Sequence, residues 1–311
     1  VTTDTDHNCD VCGAPDVSEH SYSESWSYDE TTHWHECACG DISAVAAHGY
    51  DDDFDATCNT CGFERTAKTL VATIGDQKFD SFSAAVAAAK DGETIVLHTN
   101  VTLTERIAVS TKQVWEFGNY TVTLANGDEN YSLVVKGDLT INSGKFIVNG
   151  WYGIGVTGTL TVNGGEFSVA EYNDYLIGNW GTVNITGGTL NGQYCCVNCF
   201  SGNVTISGGK FSTTEFDYTG EYPSYDIFAD GVVTVTGGSF SKNVTEYCVE
   251  GYHTADADND GVYTYGEHHY ESTVTPPTCT EEGYTTYTCD CGDTYVTDKV
   301  DATGHHHNAV V

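Results

Sequence analysis

Leu139-Thr-Ile-Asn-Ser-Gly-Lys-Phe146 decides the fold, because the same phrase returns four more times. It recurs as Leu160-Thr-Val-Asn-Gly-Gly-Glu-Phe167, Val183-Asn-Ile-Thr-Gly-Gly-Thr-Leu190, Val204-Thr-Ile-Ser-Gly-Gly-Lys-Phe211 and Val233-Thr-Val-Thr-Gly-Gly-Ser-Phe240. The starts are 21, 23, 21 and 29 residues apart. One unit of this length cannot bury its apolar face alone, but a stack can, so the period predicts a solenoid. Each phrase alternates apolar and polar residues, breaks at glycine and resumes with Phe or Leu. That reads as a short strand, a corner and a second short strand. The expected fold is all-β: a right-handed parallel β-helix over residues 138–250, with coils ~4.8 Å apart. Ile141, Val162, Ile185, Ile206 and Val235 should stack as one inward ladder, and Phe146, Phe167, Leu190, Phe211 and Phe240 as another. Asn142, Asn163, Thr186, Ser207 and Thr236 should satisfy the turn backbone.

Residues 67–137 read as a cap helix followed by the first coils. Ser81 or Asp80 can N-cap a helix whose Phe82, Ala85, Val86 and Ala89 share one face, and Asp91-Gly92 stops it. Short strands follow at Thr94–Leu97, Val101–Leu103, Ile107–Val109, Val114–Phe117 and Tyr120–Leu124. This arrangement resembles the N-terminal cap of pectate-lyase-like β-helices. The repeats themselves resemble carbohydrate-binding β-helix proteins and, more loosely, polysaccharide lyases. Lyases of that kind align a basic residue with a calcium-binding Asp cluster. Here Lys145 and Lys210 share their repeat position with Glu166, Thr189 and Ser239, so no basic row is expected and catalysis is not. The segments between phrases are read as loops. They carry Trp151, Tyr152, Tyr172, Tyr175, Trp180 and Tyr194, an aromatic set that could stack on sugar rings or pack over the coil corners. Cys195, Cys196 and Cys199 fall in one such loop.

Residues 1–66 form a Cys/His-rich module. It contains Cys9-Asp-Val-Cys12-Gly13, His33-Trp34-His35-Glu36-Cys37-Ala38-Cys39-Gly40, His48 and Cys58-Asn-Thr-Cys61-Gly62. Paired cysteines followed by glycine are zinc-knuckle spacing. Cys37, Cys39, Cys58 and Cys61 make a four-sulfur set, with His33, His35 or His48 able to replace a sulfur. Cross-knuckle disulfides are the alternative. The pattern over residues 18–62 resembles small Cys/His repeats of secreted multi-domain surface proteins of gut-type Firmicutes, which implies surface display.

Residues 251–267 read as a hairpin with an EF-hand-like acidic loop. Asp256, Asp258, Asp260, the Val262 carbonyl and Glu267 fall at calcium-loop spacing around Gly261, while Asn259-Asp-Gly261 is also an ordinary hairpin turn. Residues 268–311 form a second Cys/His-rich module, in which Cys279, Cys289 and Cys291 with His268 or His305 could complete a tetrahedral site. Its Pro-Thr-Cys279…Tyr287-Thr-Cys289-Asp-Cys291-Gly292 pattern resembles another small repeat of secreted Firmicutes proteins.

The formal charge of −34, from 45 acidic and 11 basic residues, excludes nucleic acid as a partner. No apolar run is long enough for a membrane span. A chain with no Met and Val1 at its start is expected to have lost a secretory leader, unless it is an excerpt of a longer chain. The expectation for the whole is a secreted, non-catalytic structural or adhesive protein of a bacterial surface or matrix. It would carry zinc, with calcium at the acidic loop, and associate with itself, with other surface proteins or with glycans.

Overall fold

The computed structural model describes residues 21–38, 40–125, 131–170, 174–214, 223–256 and 258–305. The chain divides into two compact units, Val1–Leu70 and Val71–Val311.

In the second unit the five phrases stack in parallel register. Leu139 pairs with Leu160, Leu160 with Val183, Val183 with Val204 and Val204 with Val233. Two residues on, Ile141, Val162, Ile185, Ile206 and Val235 form the expected ladder, all fully buried. The second ladder is also in place. Phe146 and Phe167 stack with ring centroids 4.7 Å apart, and Phe211 and Phe240 at 4.9 Å. Each such side chain taken out of water contributes roughly 1.5–3 kcal/mol, and the β-helix is held together by these columns. The later glycine of each corner has φ between 91° and 116°, a region that costs glycine little. The polar residues before the corner act differently from expectation at three positions, bonding from coil to coil. Asn142 Nδ2 donates to Glu116 Oε1, Asn163 Nδ2 to Asn142 Oδ1, and Thr186 Oγ1 to Asn163 Oδ1, at 2.7, 2.9 and 2.8 Å.

The ladder begins before the first recognisable phrase. Glu93–Leu97 pairs in parallel with Gln113–Leu124, which pairs with Asp138–Val148. Trp115 and Phe117 fill the core positions there, fully buried and stacked 5.2 Å apart. The helix Phe82–Ala88 is capped by Ser81 and buries Phe82, Ala85 and Val86 against this first coil. Phe82 meets Trp115 edge to face at 5.3 Å.

The segments between phrases are not loops that leave the coils. Tyr152–Val156, Tyr175–Asn179, Cys195–Cys199 and Tyr225–Ala229, together with Ile107–Val109 and Leu133–Val135, build a second, six-stranded parallel sheet. Cys195, Cys196 and Cys199 are therefore buried strand residues. These strands lack the alternation that marks a half-exposed strand because parts of their outer face are covered too. The Tyr131 ring lies over Gly155 and Gly178, where a Cβ would come within 2.8 Å and 2.0 Å of it.

In the last coil a carboxylate enters the inward row. Asp226 occupies the inward row of Leu176 and Cys196 and is fully buried. It accepts from the Ser241 and Lys242 backbone N–H groups, from Ser241 Oγ at 2.8 Å and from Thr213 Oγ1 at 3.1 Å. Asp226→Ala removes the acceptor of the Lys242 N–H and of both hydroxyls, while the Ser241 N–H keeps its bond to Phe211 O at 3.0 Å. It should lower stability by about 2–4 kcal/mol in urea unfolding, with Asp226→Asn losing less. A change below about 0.5 kcal/mol would show the end of the solenoid to be held otherwise.

The hairpin Tyr252–Ala255 and Tyr263–Glu267 then closes the large sheet, Tyr263 pairing with Phe240. After it comes a separate antiparallel meander of Tyr270–Thr275, Gly283–Cys289 and Thr294–Val300.

Candidate metal centres

Two groups of four side chains bring their ligand atoms together: His33, His48, Cys58 and Cys61, and His253, His268, Cys289 and Cys291. Within each group all four ligand atoms lie within 4.8 Å of one another.

The first group belongs to the unit Val1–Leu70. Its frame is an antiparallel meander of Tyr22–Tyr28, Thr32–Cys37 and Ile42–Ala47, with Thr32–Cys37 in the centre. His33 on the central strand is 3 % exposed, and its Nδ1 is buried with no hydrogen-bond partner. Asp29 caps the hairpin turn before it. The Asp29 carboxylate accepts from the Thr31 and Thr32 N–H groups at 2.7 Å each. Those bonds, the Thr31 N–H first, hold its pKa down at about 2. The turn so fixed aims the Asp29 carbonyl at His48, whose Nε2 donates to it at 2.9 Å. That bond commits the Nε2 proton and leaves the Nδ1 lone pair facing Cys61 Sγ at 3.3 Å.

Cys58 and Cys61 lie on a knuckle closed by Cys58 N to Phe63 O at 2.8 Å and Gly62 N to Cys58 O at 3.0 Å, with Gly62 at φ 75°. Burial pushes the Cys58 thiol up. The opposing N–H groups of Cys61, Thr60 and Gly49, with His48, bring it down to about 5. Burial raises the neighbouring Cys61. One thiolate cradled by backbone N–H groups beside two imidazoles is a donor set for a borderline-soft divalent ion.

The second group is tighter. His253 and His268 face each other Nδ1 to Nδ1 at 3.1 Å. Cys289 Sγ lies 3.4 Å from His268 Nδ1 and 3.5 Å from His253 Nδ1, and Cys291 Sγ 3.3 Å from His268 Nδ1. A tetrahedron with metal–nitrogen bonds of about 2.0 Å and metal–sulfur bonds of about 2.3 Å has N···N edges of about 3.3 Å and N···S edges of about 3.5 Å. The four contacts match those edges. Burial, then His268, lowers the His253 pKa, which favours the neutral imidazole that a metal needs.

The structure redistributes the expected ligands. Cys58, Cys61, His33 and His48 come together, but Cys37 does not join them, and Cys39, Cys9 and Cys12 lie outside the described residues. The reason is topological: Cys37 lies at the end of the central strand opposite His33. Its turn, with Cys37 N to Asp41 O and Gly40 N to Cys37 O both at 2.8 Å, matches the turn after Cys289. There Cys289 N to Asp293 O and Gly292 N to Cys289 O are both 2.9 Å. In each turn a tyrosine hydroxyl donates to the Asp, Tyr22 to Asp41 at 2.7 Å and Tyr270 to Asp293 at 2.6 Å. His35 stacks on Trp26 at 3.7 Å instead of joining the cluster. In the C-terminal module Cys289, Cys291 and His268 converge, while the exposed Cys279 and His305 stay outside the group. The fourth ligand, His253, was not expected. It lies 36 residues before Cys289, and its one sequence signal is a histidine at a strand position next to Tyr252.

The acidic loop is wired as a turn. Asp256 accepts from the Asp260 and Gly261 N–H groups at 2.9 and 3.0 Å, and Asp260 from Val262 N at 2.9 Å. Glu267 pairs with Tyr252 at the opposite end of the hairpin, roughly 10 Å along the strand from Thr264, and Tyr252 O–H donates to it at 3.0 Å. The structure therefore does not bring Glu267 to Asp256 and Asp258, and Val262 is 43 % exposed beyond the turn.

Among the aromatic residues, Tyr152 and Tyr175 stack on each other at 5.6 Å, Tyr194 meets Tyr175 edge on at 6.1 Å, and Trp180 stacks on Phe200 at 4.6 Å. Trp151 is exposed, and Tyr172 lies outside the described residues. These rings largely satisfy one another over the second sheet. Among the described residues no helix is long and apolar enough to cross a membrane. No family model matches the chain, and neither a curated protein nor a solved structure was found to be similar to it.

Proposed function

We propose that this chain is a non-catalytic structural protein of the secreted, surface-displayed kind. In this reading a β-helix serves as a rigid body for small modules, and each four-ligand group holds one zinc ion. The observation that carries it is the closure of both groups. Each group offers two histidines and two cysteines within 4.8 Å of one another, and the four short contacts of the second match tetrahedral edges; a full set of four protein ligands is the donor set of structural zinc. The modules also need such an ion. Among the described residues of the first unit Cys58 is the one buried apolar side chain, and in residues 268–305 it is Cys289. A domain of this size without a core depends on metals or cross-links. Partners would be further copies, other surface proteins or glycans.

Native mass spectrometry of the zinc-supplemented protein tests the reading by subtraction. Cys58→Ser with Cys61→Ser should remove one zinc, and Cys289→Ser with Cys291→Ser another. Disulfides at these cysteines, with no zinc lost in either variant, would overturn it.

A further inference from the structure

The second cluster draws its ligands from three parts of the chain that, among the described residues, little else joins. His253 stands on the strand Tyr252–Ala255 of the hairpin that closes the solenoid. Cys289 and Cys291 belong to the C-terminal meander, at the end of the strand Gly283–Cys289 and the turn beyond it. His268 lies between them, in the connection from Glu267 to Tyr270, which is two residues long.

The two bodies share little apart from this site. No strand of the meander pairs with a strand of the solenoid sheets. The continuous apolar core runs from Ala72 to Val244, with Tyr263 and Tyr265 of the hairpin packed against it, and takes in no described residue of 268–305. The accompanying contacts gather at the connection itself. His268 N donates to Gly251 O at 3.1 Å, and the His268 ring meets the His253 ring edge to face at 4.6 Å.

We infer that the ion in this cluster is the lock of a joint. With it bound, the meander is fixed to the end of the β-helix. Without it, whether or not the meander keeps its own strands, it is held to the β-helix by a two-residue tether and the contacts beside it, and its orientation is free. This rests on the metal reading above and goes beyond it, because a structural zinc need only hold one module together. Here three ligands lie on or beside the meander, and the fourth, His253, is contributed by the neighbouring body. His253 is therefore the residue that turns a module's own metal site into a link between bodies. Its removal separates locking from binding, because His268, Cys289 and Cys291 remain as a three-ligand site.

The test is a distance distribution between spin labels carried on unnatural amino acids at Tyr120 in the solenoid and Val296 in the meander, both exposed. Zinc-loaded protein should give one narrow distance. Chelation should broaden it at least twofold. His253→Ala should give the broad distribution even with zinc present, while native mass spectrometry still finds the ion. His253→Cys, which restores a fourth ligand, should narrow it again. A narrow distribution that survives both chelation and His253→Ala, with the zinc still counted in the untreated protein, overturns the lock and leaves the metal site standing. If the Cys289→Ser, Cys291→Ser variant loses no zinc, the metal reading falls and the lock with it.

Discussion

On the zinc reading proposed above, removing metal should unfold residues 21–70 while leaving the β-helix folded. The two halves of that statement have separate physical grounds. In the first unit the described side chains that are buried amount to His33 and Cys58, both members of the same cluster. Ile42 and Val45 on the third strand are 45 % and 46 % exposed. Its strands, the Asp29 turn and the Arg65 guanidinium 3.7 Å above the Tyr50 ring organise a surface with almost nothing beneath it. A small core of ordinary quality contributes about 3–5 kcal/mol, and this unit has less than that. A structural zinc contributes an apparent ~10–16 kcal/mol at neutral pH in zinc-finger peptides, so its loss exceeds everything else holding the unit. The donors such an ion would satisfy are local: a buried His33 Nδ1 with no hydrogen-bond partner and two cysteines facing two imidazoles. The β-helix, by contrast, buries columns of Ile, Val and Phe that need no ion.

Hydrogen exchange measures both halves in one experiment. After chelation, or in the Cys58→Ser, Cys61→Ser variant, peptides spanning residues 32–48 should lose protection by several orders of magnitude. Peptides spanning 160–211 should not change. Protection of residues 32–48 that persists without metal would mean that the unit has a source of stability other than its cluster.

What could be read from the sequence divides along the same line as the energetics. The β-helix was legible because its stabilising contacts repeat. Ile141 meets Val162 and Phe146 meets Phe167 at a fixed offset, so period alone places them. The cap helix was legible from Ser81 and the face made by Phe82, Ala85 and Val86. The candidate metal centres were legible by half. A knuckle such as Cys58-Asn-Thr-Cys61-Gly62 is local, and its glycine is explained by φ 75°. Which other residues complete each four-residue group is a matter of long-range topology. Cys37 was grouped with Cys58 because Cys37-Ala-Cys39-Gly40 has knuckle spacing, but it stands at the end of the strand Thr32–Cys37 opposite His33. His253 escaped notice because no spacing rule joins a hairpin strand to a turn 36 residues later. The second sheet was missed because Gly155 and Gly178, hidden under Tyr131, replace the alternation by which a strand is normally recognised.

A second glycine column was also in plain view, one position before each strand, and it supports the other large prediction. Gly137, Gly158, Gly181, Gly202 and Gly231 precede the five phrases. They matter for closeness of approach. A Cβ on Gly181 would stand 2.2 Å from the Gly158 carbonyl oxygen and 2.7 Å from the Thr157 carbonyl carbon, both backbone atoms. The same Gly158 oxygen accepts the Thr182 N–H at 2.9 Å, and the pattern repeats with Asn203 N to Gly181 O at 2.9 Å and Val232 N to Gly202 O at 3.0 Å. A methyl group at residue 181 thus pushes on the very carbonyl that ties its coil to the one before. Neither atom belongs to a flexible side chain, so the strain cannot be relieved by a rotamer change. Opening the stack there also loosens the columns on either side, since stability in a solenoid passes through neighbouring coils. Gly181→Ala should therefore cost about 3–5 kcal/mol and lower the urea midpoint accordingly. Gly266→Ala in the end hairpin, where a Cβ meets nothing within 4 Å, should change it by less than about 0.5 kcal/mol. Equal, small effects from the two substitutions would show that the coils are not packed at the spacing that makes these glycines necessary.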